Sequence, residues 1–335
     1  MNFYSIIIYG YIALASFLFY IIWRDSKKEG SFFNNKKPLS IILCIILSIG
    51  ILMAVEAYFI EPNLLLIKNT KIESNKISNE IKIALITDIQ VGNHKKEKFV
   101  QKLVQKINTT QPDLILLGGD LIDNEGNFDH EEEYLNPLKK LVGKYPIYYI
   151  LGNHEYGIGS YLQNDPNKHT ADKSNWLIKK MEELGIPLLR NTLDCLEIKN
   201  QEICIFGTDD IWKHKINYTI LHNCHPEEPK DPLKNNCNLQ NKFLIFLTHN
   251  PDGILSYPKD LTPPDLVLAG HTHGGQIYLP FIGPLGDPDV KLPKKYWREL
   301  NYYNNIPILT SIGVGESGGK LRFLSPPTID IIIVN

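Results

Sequence analysis

Hydrophobic positions divide this chain of 335 residues into two parts, and the first part is dominated by long apolar runs. Residues 3–23 carry no charged side chain, and residues 38–60 contain only Glu56, near the end of the run. Each run has about the ~20 residues that a helix needs to cross a bilayer, and aromatic side chains stand near the ends, as at membrane interfaces. We therefore predict two transmembrane helices over residues 1–60. The alternative is a cleaved signal peptide followed by a core helix.

The segment that connects the two apolar runs is basic. Residues 24–37 contain five lysine or arginine side chains against two acidic ones, Asp25 and Glu29. Short basic loops favour the cytoplasmic side of a membrane. This pattern predicts a multi-pass protein of the inner (cytoplasmic) membrane whose large C-terminal domain lies on the outer face.

After residue 60 the apolar runs become short. Residues 61–80 are polar and are interpreted as a linker, and residues 81–335 as one globular domain. Short apolar runs predict strands, and apolar residues at helical spacing predict helices, so their alternation indicates the α/β class. The predicted strands cover residues 81–88, 113–120, 147–155, 243–249, 266–270, 306–312 and 328–334, and the predicted helices cover residues 96–107, 131–142 and 172–184.

Four cysteines of the predicted domain stand in positions that allow pairing. Residues 193–206 read as a hairpin turning at Lys199 and Asn200, which would place Cys195 opposite Cys204. Cys224 and Cys237 bracket a polar loop. Two disulfides in an oxidising compartment are one interpretation, and four unpaired thiols are the other.

Five of the predicted strands end in an Asp, Asn or His side chain. Open α/β sheets gather their ligands at the carboxyl ends of the strands. This number of mixed oxygen and nitrogen donors exceeds what one tetrahedral ion needs and suits two divalent ions, Mn²⁺, Fe or Zn²⁺ rather than Ca²⁺. Such a pair would lower the pKa of a bound water and hold the oxygens of a phosphate. The candidate metal ligands are Asp88, Gln90, Asp120, Asn153, His249, His271 and His273.

These residues also form a set of motifs. Asp88-x-Gln90, Gly119-Asp120-x-x-Asp123, Gly152-Asn153-His154-Glu155, His249 and Gly270-His271-Thr272-His273 resemble, in order and spacing, the signature of the calcineurin-like metallophosphoesterases. The longer segments 249–252 and 269–276, and residues 313–317 with Arg322, are similar to the membrane-anchored bacterial branch of that family.

The resemblance implies a fold and a role for each matched residue. It implies a four-layer α/β/β/α sandwich built on two mixed sheets. The first metal would be held by Asp88, Gln90, Asp120 and His273, and the second by Asn153, His249, His271 and the bridging Asp120. His154 would contact the phosphate and stabilise the leaving oxygen. Asp123 would either orient a ligand or cap a turn.

Gln90 departs from the family pattern, which usually has His at this place. A glutamine carbonyl is a neutral and harder donor than imidazole, so it should weaken the first site and favour Mn²⁺ or Mg²⁺ there. We expect two divalent ions, with Mn²⁺ preferred over Fe, Zn²⁺ and Mg²⁺.

The net charge of −2 and the lack of a basic stripe exclude nucleic acid as an expected partner. The expected partners are the lipid bilayer and a phosphorylated substrate. The activity would be hydrolysis of a phosphodiester or pyrophosphate on a lipid-linked or envelope molecule. One alternative is a UDP-2,3-diacylglucosamine pyrophosphatase-like lipid A enzyme, and another is a membrane-tethered binding module for phospho-ligands with impaired catalysis.

The remaining features of interest are less specific. The apolar and aromatic residues over 277–282 would either pack as an ordinary loop or form a lipid-facing groove. His94 could line the mouth of the site, whereas three other histidines are expected on the surface, namely His214, His222 and His225.

Overall fold

The computed structural model describes residues 3–124, 130–159, 170–224 and 238–335. Two long helices, α1 (Phe3–Ser26) and α3 (Lys37–Val55), pack against each other and are joined through the short helix α2 (Phe32–Asn35). The segments Ser5–Ser26 and Lys37–Asn63 are long and apolar enough to cross a membrane. Only 17% and 11% of their most apolar windows are buried, so most of this apolar surface is uncovered in the described chain.

The described residues contain thirteen strands after these helices, and most of the predicted strands are among them. In chain order they are β1 (Leu66–Ile72), β2 (Ile81–Ile86), β3 (Leu114–Gly118), β4 (Ile147–Ile150), β5 (Thr192–Ile198), β6 (Gln201–Gly207), β7 (Phe243–Leu247), β8 (Leu266–Ala269), β9 (Tyr278–Leu279), β10 (Gly283–Pro284), β11 (Glu299–Tyr303), β12 (Ile306–Thr310) and β13 (Thr328–Val334).

The strands form two mixed sheets and a small hairpin. The first sheet has the order β1-β13-β2-β3-β4, in which only β13 and β2 pair antiparallel. The second has the order β11-β12-β8-β7-β6-β5, with antiparallel pairs at its two edges. β9 and β10 pair only with each other as strands. Because β2, β3, β4, β6, β7 and β8 belong to parallel runs, their carboxyl ends meet along one edge.

Three apolar clusters hold these elements together. Side chains such as Leu85, Leu116, Ile245 and Leu268 pack between the two sheets. The outer face of the first sheet is covered by α4 (Glu97–Thr110), α5 (Ser174–Leu184) and a 3₁₀ helix, Glu131–Lys140. Short helical segments, among them α6 (Thr219–His222), cover the outer face of the second sheet.

The structure corrects two expectations about these elements. The polar segment 61–80 is not simply a linker, because β1 lies within it and pairs in parallel with β13 over seven residues. The helix expected over residues 131–142 is a 3₁₀ helix, Glu131–Lys140, and Pro137 inside it lacks the N–H that an α-helix would use. β11 was also not predicted, since only three of its side chains are even partly buried.

The predicted cysteine hairpin is confirmed. Lys199 and Asn200 form its turn with positive φ angles of 51° and 63°, as a two-residue type I′ turn requires. Cys195 and Cys204 are register partners and are joined by a disulfide. The expected partner of Cys224, Cys237, lies outside the described residues.

Candidate active site

The strand ends bring the predicted donors to one edge, where the backbone takes unusual conformations. Asp88, Asp120 and His271 each follow a buried strand and have φ angles of 53°, 50° and 70°. Left-handed φ is uncommon for residues other than glycine and is concentrated at functional sites. Neighbouring glycines permit the close approach: a Cβ at Gly152 would lie 2.3 Å from Oδ1 of Asp120, and one at Gly270 would lie 2.5 Å from Oδ2 of Asp88.

Asp120, His249 and His271 form the centre of the cluster. One donor atom from each lies within 4.8 Å of the others, and all three side chains are buried. Nε2 of His249 is 3.0 Å from Oδ2 of Asp120, while its Nδ1 is 2.8 Å from the carbonyl oxygen of Gly118. Since a carbonyl only accepts, Nδ1 of His249 carries the proton and Nε2 faces the carboxylate.

Asp88 and His273 lie on the other side of the cluster. Nε2 of His273 is 3.5 Å from Oδ1 of Asp88, and the backbone N–H of His271 donates to the same carboxylate at 3.1 Å. Gln90 is 2% exposed, and neither of its amide atoms has a hydrogen-bond partner among the described residues. A buried amide without partners costs folding free energy, so its position indicates that something else binds there.

Asn153 and His154 follow β4 and face the same centre. Oδ1 of Asn153 lies 2.9 Å from Nδ1 of His271, and its Nδ2 donates to the carbonyl oxygen of Ile158 at 2.6 Å. The backbone N–H of His154 donates to Oδ1 of Asp120 at 2.9 Å. Its ring Nδ1 bonds the carbonyl oxygen of Asp123, which leaves Nε2 3.9 Å from Oδ2 of Asp120. His154 therefore presents Nε2 to the pocket.

The electrostatics of the cluster follow from its burial. Burial raises the pKa of Asp120 in isolation, but the charges of His249 and His154 outweigh this and hold that pKa well below its usual range. Burial opposes a charged His249, yet attraction to Asp120 raises its pKa to about 10. Burial, with His249 nearby, lowers the pKa of His271 to about 3. Burial, with Arg322 nearby, places the pKa of His273 well below its usual value.

The donor set fits divalent metal ions. Carboxylate oxygens, imidazole nitrogens and amide oxygens are ligands for borderline and hard divalent metals. The unpartnered amide of Gln90 adds an observation independent of the family pattern. Side-chain and backbone contacts link six of the predicted ligands, namely Asp88, Asp120, Asn153, His249, His271 and His273. The backbone N–H of Gln90 donates to the carbonyl oxygen of Asp120 at 3.0 Å. Among the described residues Asp120, His249 and His271 form the tightest group.

A pocket of about 450 Å³ opens over this cluster. Its lining includes Asp120, Asn153, His154, His271 and His273. The rest of the wall comes from Thr272 and from residues 275–277, 285–288, 317–319 and 321. The pocket is large enough for a phosphate group and part of the molecule that carries it.

Glu155 supports the site through contacts that no local sequence pattern indicates. Its side chain is fully buried and accepts from the backbone N–H groups of Gly152 at 2.6 Å and Leu121 at 2.7 Å, and also from those of Asp120 and Ile122. One carboxylate therefore holds the loops after β3 and β4 together.

Asp210 is a second unforeseen residue. It is 1% exposed and accepts from the backbone N–H groups of Trp212 and Lys213. The ring of Trp212 contacts His271 edge-on, with 4.6 Å between the ring centres. Asp210 follows β6, so the same strand-end pattern could have identified it.

The other histidines do not join the cluster in the described residues. His214 is 3.1 Å from Asp209 and His222 is 3.8 Å from Asp260, and both are exposed, as expected. His94 is half-buried and is absent from the described pocket lining. His225 lies outside the described residues.

The mixed α/β fold and the strand-end cluster of Asp, Asn and His donors define a metallophosphoesterase. The family model for calcineurin-like phosphoesterases matches residues 81–275, more than half of the chain, so this chain belongs to that family.

Relatives of known sequence agree with this assignment. An uncharacterized metallophosphoesterase of Helicobacter pylori (strain ATCC 700392 / 26695) is 33% identical over 78% of this chain and 62% of its own length. This chain thus spans less than two thirds of that protein. YkuE of Bacillus subtilis (strain 168), an uncharacterized metallophosphoesterase, is 28% identical over 82% of this chain and 87% of its own length. Phosphodiesterase YaeI of Escherichia coli (strain K12) is 28% identical over 75% of this chain and 81% of its own length. These names support a hydrolase.

Proposed function

We propose that this protein hydrolyses a phosphodiester or pyrophosphate with two bound divalent metal ions, and that it acts on a lipid-linked or envelope substrate. The observation that carries the proposal is the pocket over Asp120, His249 and His271 with His154 at its side. The phosphodiesterase name of the Escherichia coli relative supports the reaction type. The same family assignment is our basis for interpreting the two sheets and their helical covers as a four-layer α/β/β/α sandwich.

The proposed ligands divide between the two ions as the motifs suggest. Asp88, Gln90 and His273 would hold the first ion, and Asn153, His249 and His271 the second, with Asp120 shared. When bound, the ions would supply Lewis acidity toward the phosphoryl oxygens and an activated water. Mn²⁺ is the proposed metal, because the amide oxygen of Gln90 is a harder donor than imidazole.

His154 is the proposed acid for the leaving oxygen. A carbonyl oxygen cannot donate, so the bond from His154 to Asp123 requires the proton on Nδ1. This bond fixes the ring and directs Nε2 to the pocket. A protonated Nε2 could then donate to the oxygen of the departing group.

The membrane location rests on the two apolar helices. Their uncovered apolar surface supports insertion into a bilayer rather than packing inside a soluble core. The basic loop between them supports the inner membrane, with the catalytic domain on its outer face. A UDP-2,3-diacylglucosamine-like substrate would require the opposite face, so the outer-face proposal favours another lipid or envelope phosphoester.

The test is a metal-dependent hydrolysis screen on the purified full chain. Metal-stripped protein would be given Mn²⁺, Zn²⁺ or Mg²⁺ and assayed on bis-p-nitrophenyl phosphate, lipid phosphodiesters, lipid pyrophosphates and nucleotides. We expect Mn²⁺-dependent turnover that falls about 10²-fold or more in His154→Ala and Asn153→Ala, and remains in the surface variant His222→Ala. No turnover with any metal, together with retained binding of a phospho-ligand, would instead support a membrane-tethered binding module.

A further inference from the structure

The small hairpin β9–β10 joins the wall of the pocket to the surface of the domain. Gly275, Ile277, Leu285 and Gly286 at its base line the pocket. The base is closed by hydrogen bonds from Leu285 to Ile277 and from Gly286 to Gly275. The tip between β9 and β10 carries Phe281, which is fully exposed.

Phe281 occupies a turn position whose backbone conformation favours glycine or asparagine. The N–H of Ile282 bonds the carbonyl oxygen of Leu279 at 3.2 Å, which closes a four-residue turn. Pro280 occupies the second position, and Phe281 occupies the third with a φ of 69°. Turns of this type favour glycine or asparagine at the third position. A bulky aromatic residue is strained there, and its exposed ring does not contribute to the core. Its presence therefore points to a contact outside the folded domain.

Hydrogen bonds of a third segment, residues 323 and 324, link the hairpin to the end of the second apolar segment. Tyr278 and Gln276 exchange backbone hydrogen bonds with Phe323. The next residue, Leu324, is 44% exposed, and its N–H donates to Oε2 of Glu61 at 2.7 Å. Glu61 lies within the segment Lys37–Asn63 that could cross a membrane. The loop with Phe323 thus connects the hairpin to the last turn of that segment.

Basic side chains surround the base of the hairpin. Lys294 donates to the carbonyl oxygen of Pro284 at 2.9 Å, and Arg298 lies 4.5 Å from the ring centre of Tyr278. Lys295 is exposed beside them. The acidic side chain in this group, Glu299, lies 2.7 Å from Nζ of Lys68 and 3.9 Å from Nε of Arg298. The three basic side chains of the group outnumber this one carboxylate.

We propose that this hairpin docks on the surface of an anionic bilayer. Phe281 and Ile282 would insert among the upper acyl chains, and Lys294, Lys295 and Arg298 would contact the headgroups. Apolar insertion combined with basic contacts is how proteins bind anionic lipid surfaces. The docked hairpin holds the mouth of the pocket at the lipid surface, where a lipid-linked phosphoester would be presented. This inference rests on the membrane anchor proposed above.

The first test measures insertion without any measurement of activity. The full chain is reconstituted into vesicles of phosphatidylcholine and phosphatidylglycerol, with or without dibrominated lipid. Emission from Phe281→Trp, corrected for wild-type emission, is compared with that from Ile220→Trp, which replaces a partly exposed apolar side chain on α6. We expect a blue shift and quenching by brominated lipid at position 281 alone.

Three results would overturn the docking. Equal quenching at both positions would show that the tip has no special contact. No lipid quenching at position 281, together with quenching by aqueous acrylamide, would show that it lies in water. Protection of position 281 from aqueous acrylamide without lipid quenching would show that a protein covers it. Release of the chain from the vesicles by alkaline carbonate would refute the anchor itself, so the two failures are distinguishable.

The second test measures the consequence for the reaction. Lys294→Gln combined with Lys295→Gln is expected to raise KM for a phosphodiester lipid in anionic vesicles by roughly 25-fold, since each of the two basic contacts adds about a fivefold affinity. Phe281→Asp should act in the same direction. Hydrolysis of soluble bis-p-nitrophenyl phosphate should be unchanged in both variants, and Ile220→Asp should leave both substrates unaffected. Equal losses on both substrates would overturn the docking role.

Discussion

Nη2 of Arg322 lies 3.2 Å from Nδ1 of His273. A guanidinium only donates, so Nδ1 of His273 must accept and the proton of the neutral ring lies on Nε2. Nε2 is the atom that faces Asp88. In this state His273 would offer the proposed first ion no lone pair at Nε2. Arg322 also places a buried positive charge beside that site, which adds to the weakness expected from Gln90.

We therefore expect the first ion to bind at least about tenfold more weakly than the second. Arg322→Gln would replace the obligate donor with a side chain whose oxygen can accept from Nδ1, which would free Nε2. The expected result is a first-site affinity about tenfold higher, the usual size of effects from groups that orient a ligand.

Calorimetric titration with Mn²⁺ and metal analysis would measure this affinity. Arg322 also donates to the carbonyl oxygens of Ser325 and Ile312, so thermal melting must accompany the titration. Arg322→Lys keeps the charge and the obligate donor, and it serves as the control that should not gain affinity. An Arg322→Gln variant that is folded and binds the first ion no better would contradict the interpretation.

Gln90→His is expected to change which metal the first site prefers. An imidazole at this position would favour Zn²⁺ over Mn²⁺ relative to the native amide. We expect the ratio of Zn²⁺ to Mn²⁺ affinity to rise about tenfold for the first ion and to stay constant for the second. Competition titrations would measure both ratios. Equal activation of the native protein by Zn²⁺ and Mn²⁺ would argue against the assigned role of Gln90.

Glu155→Gln should damage the site without touching a predicted ligand. Two backbone N–H groups point at each oxygen of the carboxylate. In the variant, the amide NH₂ group, which is itself a donor, would replace one oxygen and face two backbone N–H donors. The unsatisfied donors would cost about 1–3 kcal/mol in stability. We expect a lower melting temperature and at least a tenfold fall in kcat, because the loops that carry Asp120 and Asn153 would separate. Glu183→Gln, on the exposed face of α5, should change neither quantity.

Asp330 in β13 gives a pH-dependent stability that does not involve the metal site. Burial raises its pKa from 3.8 to about 6, and a hydrogen bond with Ser311 and the charge of Lys68 only partly oppose this. Because the folded-state pKa is raised, this residue favours the folded state most at low pH, and the benefit is lost as the pH rises from about 4 to about 6.

Asp330→Asn should remove this dependence. A rise of roughly two pKa units corresponds to about 3 kcal/mol, so near pH 7 the variant is expected to be more stable than the native chain by up to that amount. Melting temperatures from pH 4.5 to 7.5 would show the difference growing with pH. A difference that is constant across this range would contradict the raised pKa.

The disulfide of the β5–β6 hairpin should contribute measurable stability. Cys195 and Cys204 are separated by 9 residues, and closing a loop of that length is worth about 2–3 kcal/mol in the chain-entropy model. The double variant Cys195→Ser and Cys204→Ser should therefore melt at a lower temperature, as should the native chain under reducing conditions. The single free cysteine among the described residues, Cys44, provides the control Cys44→Ser.

The predictable parts of the fold are the segments whose hydrophobic pattern matches the burial of their side chains in the folded protein. β2, β3, β7 and β8 are apolar runs because both of their faces are buried, and the donors directly follow them. The disulfide followed from the register that the turn at Lys199 and Asn200 imposes. Local sequence was sufficient in these cases.

Other features depend on contacts between distant segments. β1 is rich in lysine and asparagine and reads as a linker, because it is an edge strand whose pairing depends on β13. The roles of Glu155 and Arg322 follow from buried backbone groups that they satisfy in loops far away in the sequence. A charged residue in a loop gives no local sign that it will be buried in this way.

The position of β13 between β1 and β2 also has a consequence for how the protein is made. In the chain, β13 comes more than 200 residues after β2. Among the described strands, it is the one that joins β1 to the rest of the first sheet. Such non-local pairing is slow to form. During synthesis the two apolar helices and β1 emerge long before β13, so the proposed insertion of α3 into a bilayer would precede completion of the first sheet. Closure of the sheet by β13, together with docking of the Arg322 loop on Glu61, would be the late step that makes the domain competent.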